Sequence, residues 1–208
     1  MGSAAAVLHE HDLRRAIPEG LSKPPDIPAA IFDAALNSVL ALRRLDMQGL
    51  AAEVGLGRAT LYRKVGSRDR LLGEVLWYLT RHAMARALAA TAALRGEERV
   101  ESVIGQFMHD VHGQEPFLRM LAAEPEASLR ILTSKHGPVQ RGIIDALARV
   151  MEEEEEAGRL RELADRETLA YLIVRIGESF LYADIIADNE PDVDLAVKLI
   201  RRLIVGGN

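Results

Sequence analysis

From residue 26 onward, apolar residues recur at helical spacing, and no stretch sustains the alternation of a half-buried strand. Ile31, Ala35, Val39 and Leu42 share one face of a first helix, and proline and glycine divide the rest of the chain. The further helices are predicted at residues 47–54, 58–65, 68–94, 97–112, 116–123, 126–134, 138–157, 166–188 and 192–204. The pattern therefore predicts an all-α fold.

Short polar residues and a glycine predict how the first helices begin and end. Asp26 is expected to cap the first helix, Asp46 the second and Ser67 the fourth. Gly55 follows the second helix, where a left-handed turn favours glycine. The fourth helix has no internal proline, so we expect it to join the N-terminal domain to the body without a flexible linker.

Met47, Ala51, Gly55 and Leu61 have the spacing of a helix-turn-helix, the motif whose second helix can enter the major groove of DNA. A small residue lets the two helices cross closely, glycine permits the turn, and Leu61 anchors the second helix as a core residue. The same segment is basic: seven basic and three acidic residues lie between 41 and 70, against 16 basic and 23 acidic residues from 71 onward. This uneven charge favours a polyanionic partner at one end of the molecule, although an ordinary solvated face would look the same.

Residues 31–72 resemble the N-terminal domain of the tetracycline-repressor (TetR) family of bacterial regulators. The matching motifs are Ala34-Ala35-Leu36, LAAEVG at 50–55, Thr60-Leu61-Tyr62, and Arg68-Asp69 followed by two leucines. The chain departs from the family pattern before the second helix, at Gly57 and at Val65. Because glycine still permits a cap and Val65 still fills a core position, these changes leave the DNA contacts in place.

The resemblance implies a homodimeric regulator, most often a repressor, that binds a palindromic operator and responds to a small molecule. Arg58 and Arg63 are the candidates for guanine edges, because a guanidinium can bond guanine with two hydrogen bonds. Thr60 suits phosphate or a thymine methyl, and Tyr62 suits phosphate unless its ring packs on the fourth helix. The full set of predicted DNA contacts is Gln48, Arg58, Ala59, Thr60, Tyr62, Arg63, Lys64 and Arg68.

Three regions follow for the domain organisation: an arm at 1–25, a helix-turn-helix domain at 26–72, and an effector-binding and dimerisation domain at 73–208. In the family the last long helices pair into a four-helix dimer bundle, which corresponds here to residues 138–157 and 166–188. Gly177, within an apolar helix, suggests close approach of another helix or a local tolerance. The run EEEEE at 152–156 is interpreted as a solvated helix face.

Tyr171, Arg175, Glu178 and Tyr182 fall on one helix face and form a polar and aromatic stripe. Three interpretations stay open: the stripe is the wall of a ligand pocket, a dimer-interface ion pair, or a partly exposed face. The apolar residues predicted to complete a pocket are Phe107, Met108, Val111, Phe117, Met120 and Leu121. The C-terminal segment also resembles regulators of quorum-signal degradation, which implies a lactone or related effector.

The alternative class is a helical hydrolase or metal-binding protein with an incidental basic end. The chain has no cysteine and no nucleophile-elbow, phosphate-loop or dinucleotide motif, so we expect no cofactor and no catalytic residue. His109 and His112 form the one pair that hints at a metal, with His82 and His136 unassigned. The sequence has no uninterrupted apolar stretch that would span a bilayer and no recognisable signal peptide, which predicts a cytoplasmic protein.

Overall fold

The computed structural model describes residues 23–134, 137–161 and 165–205, and within these ranges the chain is helical and contains no strand. The predicted arm lies outside the described residues except for 23–25. The helices are α1 (Ala29–Leu40), α2 (Met47–Glu53), α3 (Arg58–Val65), α4 (Arg68–Ala90), α5 (Gly96–His112), α6 (Glu115–Ala123), α7 (Pro125–Leu132), α8 (Pro138–Glu156), α9 (Arg166–Leu181), α10 (Ala183–Ala187) and α11 (Val193–Val205). The prediction of an all-α chain is confirmed for these residues.

Two of the three predicted helix caps are present. The Asp46 carboxylate accepts hydrogen bonds from the Gln48 and Gly49 backbone N–H groups, at 3.0 and 2.8 Å. The Ser67 hydroxyl accepts one from the Arg70 N–H at 3.0 Å. The prediction for Asp26 was wrong: α1 begins at Ala29 with Pro28 in the cap position, and the Asp26 carboxylate instead forms an ion pair with Arg70.

The chain forms two compact units, and α4 carries it from the first into the second. The first unit comprises the described residues within Met1–His82 and Gly113–Val139. Its core includes the fully buried side chains of Phe32, Leu61, Val65 and Leu71. Phe32 packs edge-on against Tyr78, with ring centroids 5.3 Å apart, an arrangement that favours contact between aromatic quadrupoles.

The second unit comprises the described residues within Ala83–His112 and Gln140–Asn208, and α5, α9 and α11 pack together there. Met108, Ile173 and Ile200 are almost completely buried. Gly177 on α9 is buried against α5, and a Cβ added to it would lie 3.5 Å from Met108 Sδ. The predicted close approach of another helix at Gly177 is therefore present, at an ordinary van der Waals distance.

The predicted single helix at 166–188 is divided in the structure. Helix α9 ends at Leu181, and Tyr182 has φ −112° and ψ 22°, which lie outside helical geometry. Five further residues form α10, and Asp188, the residue that follows it, is in the left-handed region with φ 53°. Tyr182 is 6% exposed. Periodicity missed the break because the apolar pattern continues through it.

The interpretation of the EEEEE run as a solvated face was wrong for Glu154, whose side chain is fully buried. Its carboxylate accepts hydrogen bonds from the Arg99 and Arg159 guanidinium groups at 2.6 Å and from the Gly96 backbone N–H at 2.7 Å. The Arg159 guanidinium, with further help from Arg99 and the Gly96 N–H, lowers the pKa of Glu154 to about 2, although desolvation opposes this shift. We call these four residues the Glu154 cluster.

None of the helices among the described residues has the length and apolar character needed to cross a membrane.

Candidate nucleic-acid interface and candidate effector site

Helices α2 and α3 form the predicted helix-turn-helix. Ala51 on α2 is 3% exposed, and Leu61 on α3 is fully buried. Gly55 has φ 68°, so the left-handed turn predicted from the sequence is present, and the Leu56 N–H donates to the Ala51 carbonyl at 2.8 Å. The helix-turn-helix therefore has its small residue at Ala51, its turn glycine at Gly55 and its buried anchor at Leu61.

Helix α3 separates its apolar and cationic residues onto different faces. Leu61 and Val65 are fully buried, whereas Arg58, Arg63 and Lys64 are exposed. Of the other predicted contacts, Gln48 and Ala59 are exposed, and Thr60 and Tyr62 are half-buried. We call the exposed Arg58, Arg63 and Lys64 of α3 the cationic face.

Tyr62 borders a concavity of ≈ 350 Å³ beside the start of α2, which is also lined by Gln48 and Arg58. The Arg58 guanidinium lies 5.7 Å from the Tyr62 ring centroid, within the range of a cation–π contact. The Asp46 carboxylate lines the same concavity, and hydrogen bonds from the Gly49 and Gln48 N–H groups lower its pKa. The concavity combines a phenol, an amide and guanidinium groups, which can bind a phosphate, with one carboxylate, which opposes it.

Arg68, a predicted phosphate contact, already has protein partners. Its Nε donates to the Leu45 carbonyl at 2.9 Å, and its Nη2 lies 2.8 Å from Glu124 Oε2. Its side chain is 22% exposed. The guanidinium ties the residue before the α2 cap to α4 and to the end of α6, so its contact with DNA stays a prediction beside an observed structural role.

Glu124 was missed by sequence reasoning, although it pairs with Arg44 as well as with Arg68. Fifty-six residues separate Arg68 from Glu124. No local spacing rule connects positions so far apart, and only the tertiary fold brings them together.

The predicted effector residues are divided between the two units. In the second unit, Phe107, Met108, Glu178 and Tyr182 are buried and Val111 is half-buried. Phe117, Met120 and Leu121 lie on α6 in the first unit, where Leu121 is buried and the other two are half-buried. Neither unit alone brings the whole predicted set together.

The stripe on α9 runs from solvent to the interior of the second unit. Tyr171 is 45% exposed and Arg175 is also exposed, whereas Glu178 is 7% exposed and Tyr182 6%. Arg175 Nη1 lies 2.6 Å from Glu178 Oε2, so these two residues of the stripe form an ion pair with each other within α9. The two ends of the stripe therefore have different environments.

Gln140 is a buried partner of Glu178 that the sequence did not reveal. Its amide Nε2 donates to both carboxylate oxygens of Glu178, at 2.9 and 3.2 Å. Desolvation raises the pKa of Glu178, and Gln140 and Arg175 oppose that shift. Burial also raises the pKa of Tyr182, with a smaller contribution from the Glu178 charge, so Tyr182 keeps its hydroxyl proton. The group offers a carboxylate, an amide and a phenol beside the apolar contact with Met108.

Within the ranges 23–134, 137–161 and 165–205, no three histidine or acidic side chains come together in a way that could hold a metal ion. His109 Nε2 lies 3.1 Å from Asp194 Oδ1, and His136 is outside the described residues.

Comparison with known proteins identifies relatives of the chain. Residues 95–205 match the family model described as "Tetracyclin repressor-like, C-terminal domain". The solved structure of QsdR, a TetR-family transcriptional repressor from R. erythropolis, is 29% identical, with a TM-score of 0.79 over 86% of this chain and 94% of that chain. No curated protein matches the chain.

Two further solved structures are more loosely similar. EbrR, a multidrug-binding protein complexed with imidazole, is 22% identical over 86% of this chain and 95% of that one, with a TM-score of 0.48. PfmR, a TetR-family transcriptional regulator from Thermus thermophilus, is 18% identical over 87% and 100%, with a TM-score of 0.43.

Proposed function

This chain belongs to the TetR family of DNA-binding transcriptional regulators, which carry a ligand-binding C-terminal domain, and we propose that its own α2–α3 pair reads a palindromic operator as part of a homodimer. Regulators of this family are generally non-enzymatic, and we assign no catalytic residue. We keep residues 26–72 as the DNA-binding domain and 73–208 as the effector-binding and dimerisation domain.

One observation carries this proposal: α3 presents Arg58, Arg63 and Lys64 to solvent while Leu61 and Val65 hold it from behind. A helix held in this way can insert its cationic side into the major groove without losing its core contacts. Arg58 and Arg63 read guanine edges.

The remaining side chains position the motif on the duplex. Lys64, Gln48 and Tyr62 bind the phosphates on either side of the groove, while Thr60 contacts phosphate or a thymine methyl. Ala59 is exposed on α3, and its small side chain leaves room for the backbone of α3 to approach the bases.

Two such motifs must be held about one helical turn of DNA apart, so the body must dimerise. Exposed apolar side chains on α9 and α11 offer a surface for this purpose: Tyr171, Leu172, Leu195 and Leu199 are 39–45% exposed. The outward residues of α8 are charged and include Arg141, Asp145, Arg149 and Glu153. We therefore place the dimer contact on α9, which lies within the segment 166–188 implied by the family resemblance, and on α11 instead of the other implied segment, 138–157.

The effector contacts the group around Glu178 in the second unit. The exposed Arg175 guanidinium, which uses Nη1 for Glu178, has further N–H groups that can donate to a lactone carbonyl, and Met108 supplies apolar surface. A lactone as the effector rests on the sequence resemblance to regulators of quorum-signal degradation. The effector alters operator binding only if its affinity differs between the DNA-bound and free states.

Selection from random duplexes followed by fluorescence anisotropy tests the DNA-binding proposal. We expect a palindromic site and an affinity that falls steeply with salt, because Lys and Arg release counterions from phosphates. Lys64→Ala should reduce the salt slope by about 1 and weaken all duplexes alike. Arg149→Ala, on the exposed side of α8, is the matched control and should change neither. A purified dimer that selects no sequence at low salt would refute the proposal.

Sedimentation or light scattering tests the dimer surface. Leu199→Glu places a charge on the exposed side of α11 and should convert the dimer to a monomer, whereas Arg149→Glu on α8 should leave it intact. The opposite result would return the contact to α8.

A further inference from the structure

Arg44 lies beside the predicted DNA contacts although it is not one of them. It is two residues before Asp46, the cap of α2, and it lines the same concavity of ≈ 350 Å³ as Gln48, Arg58 and Tyr62. Its side chain is 77% exposed, so its guanidinium group is accessible from solvent. By position, Arg44 therefore belongs to the surface that we propose to face the operator.

In the structure Arg44 already has an acidic partner. Its Nε forms an ion pair with the carboxylate of Glu124, the residue that joins α6 to α7. An ion pair with an exposed side chain contributes little to stability. A guanidinium bonds a phosphate with two parallel hydrogen bonds, so a phosphate that reaches the concavity can displace Glu124 from Arg44. The carboxylate and the phosphate therefore compete for the same arginine.

Glu124 keeps a cationic partner when Arg44 leaves it. Arg68 Nη2 lies 3.1 Å from Glu124 Oε1 and 2.8 Å from Glu124 Oε2, so a second charged donor contacts both carboxylate oxygens. The Arg68 side chain is only 22% exposed, and its Nε also donates to the Leu45 carbonyl at 2.9 Å. Moving Arg68 would break both interactions, whereas moving Arg44 leaves them in place. Of the two arginines on Glu124, Arg44 is therefore the one that can change partners at low cost.

The concavity also contains the Asp46 carboxylate, which repels a phosphate. Its two oxygens accept hydrogen bonds from the Gln48 and Gly49 backbone N–H groups, at 3.0 and 2.8 Å. The Gly49 and Gln48 bonds lower the pKa of Asp46, and the positive charges of Arg58 and Arg44 lower it further. Asp46 therefore has backbone donors of its own, and the neighbouring arginines offset part of its repulsion of a phosphate.

We propose that Arg44 exchanges Glu124 for a phosphate of the operator when the protein binds DNA, while Arg68 stays on Glu124 and on the Leu45 carbonyl. This inference rests on the proposed binding of DNA by α2 and α3. It adds Arg44 to the DNA contacts and makes Glu124 a competitor of the DNA backbone. In the free protein Glu124 holds Arg44 back, so it lowers operator affinity by the free energy of one exposed ion pair.

The salt dependence of operator binding by the full chain tests the phosphate contact. Fluorescence anisotropy at a series of salt concentrations gives the slope of log affinity against log salt. Arg44→Ala should reduce this slope by about 1, because one phosphate keeps its counterions. Arg141→Ala is the matched control, since Arg141 is 73% exposed and also pairs with an acid, Asp145, but lies on α8 in the second unit. It should leave the slope unchanged.

A double-mutant cycle tests the competition by Glu124. Glu124→Gln removes the competing charge but keeps a side-chain oxygen that can accept from Arg68, and operator affinity should rise about two- to fivefold, the range expected from one exposed ion pair. In the Arg44→Ala background the same change should have no effect, because there is no arginine to release. Asp145→Asn, the equivalent change beside Arg141, should leave affinity as in the parent chain. Circular dichroism establishes that each variant is folded before titration.

Three results would overturn the exchange and still leave operator binding by α3 in place. The first is an unchanged salt slope in Arg44→Ala when Lys64→Ala lowers the slope by about 1, which shows that Arg44 stays off the phosphates. The second is an equal gain from Glu124→Gln with and without Arg44, which assigns the gain to the general loss of a negative charge. The third is weaker operator binding in Glu124→Gln, which shows that Glu124 supports the motif through Arg68 instead of holding Arg44 back. A parent chain that selects no duplex would refute the DNA-binding proposal itself, and the exchange with it.

Discussion

The cationic face of α3 and the Glu154 cluster use the same kind of side chain in opposite ways. Arg58 and Arg63 lie on a short helix with their guanidinium groups in solvent. The Arg99 guanidinium, in the second unit, is 17% exposed and bonds a fully buried carboxylate at 2.6 Å. A surface cation contributes little to stability, whereas removing one partner of a buried ion pair leaves an uncompensated charge.

This difference separates recognition from stability. An arginine that the protein does not need for folding is available for a phosphate or a base. An arginine committed to a buried carboxylate is not. Substitutions on the cationic face should therefore change DNA binding, whereas substitutions in the Glu154 cluster should change the free energy of unfolding.

Glu154→Ala should have the largest effect on stability. It removes the acceptor shared by Arg99, Arg159 and the Gly96 N–H, and breaking a buried pair costs about 3–5 kcal/mol. Urea denaturation measures the loss of unfolding free energy. Glu156→Ala, two positions later on an exposed part of α8, is the matched control and should cost less than about 0.5 kcal/mol. Equal effects would show that the run of glutamates is solvated throughout.

The same cluster should make the protein sensitive to acid. The pKa of Glu154 is lowered from 4.5 to about 2 in the folded state, so its contribution is complete above pH 4.5 and is lost as pH falls towards about 2. Unfolding midpoints in urea at a series of pH values should show this loss, and Glu154→Ala should show less of it over the same window. Identical pH slopes in the two proteins would contradict the assignment.

Two glycines with the same backbone conformation test how tightly the cluster is built. Gly96 and Gly158 have φ 59° and 67°, but a Cβ at Gly96 would lie 2.7 Å from the Arg159 carbonyl oxygen, whereas nothing lies within 4 Å at Gly158. Gly158→Ala should cost about 1 kcal/mol through its conformation alone. Gly96→Ala should cost at least about 2 kcal/mol, because backbone must move as well. Similar losses of unfolding free energy would indicate that the Gly96 region adjusts freely.

Arg63→Ala should show the opposite behaviour to the changes in the Glu154 cluster. Removing one base-reading guanidinium should weaken operator binding by about 1–3 kcal/mol and relax sequence preference at one position of each half-site. Its unfolding free energy should stay within about 0.5 kcal/mol of the parent chain, since the side chain is exposed. Fluorescence anisotropy measures the operator affinity, and urea denaturation of the same preparation measures the free energy of unfolding. A stability loss larger than the binding loss would place Arg63 in a structural role.

The cationic face was predictable from the sequence and the Glu154 cluster was not. Leu61, Gly55 and the exposed arginines follow rules that act within about twenty residues: helical periodicity, turn chemistry and capping. Glu154 bonds Arg99, 55 residues away, and Gln140 bonds Glu178, 38 residues away. The periodicity of α8 suggested a solvated run because nothing local distinguishes Glu154 from its neighbours. The break at Tyr182 was also missed, because the apolar pattern continues through it.

The smallest effect should come from Ser67, a polar residue of the first unit that stabilises a helix while lying among exposed cations. Its hydroxyl accepts the Arg70 N–H, so Ser67→Ala should cost about 1 kcal/mol of unfolding free energy. Ser67→Asp keeps a capping oxygen and should retain the stability of the parent chain. It also adds a negative charge next to Arg68 and close along the chain to Lys64, so operator affinity should fall, and fall less at high salt because the added repulsion is screened. Two substitutions at one position thus separate folding from DNA binding. If Ser67→Asp binds the operator as tightly as the parent chain at low salt, then the start of α4 lies away from the DNA backbone.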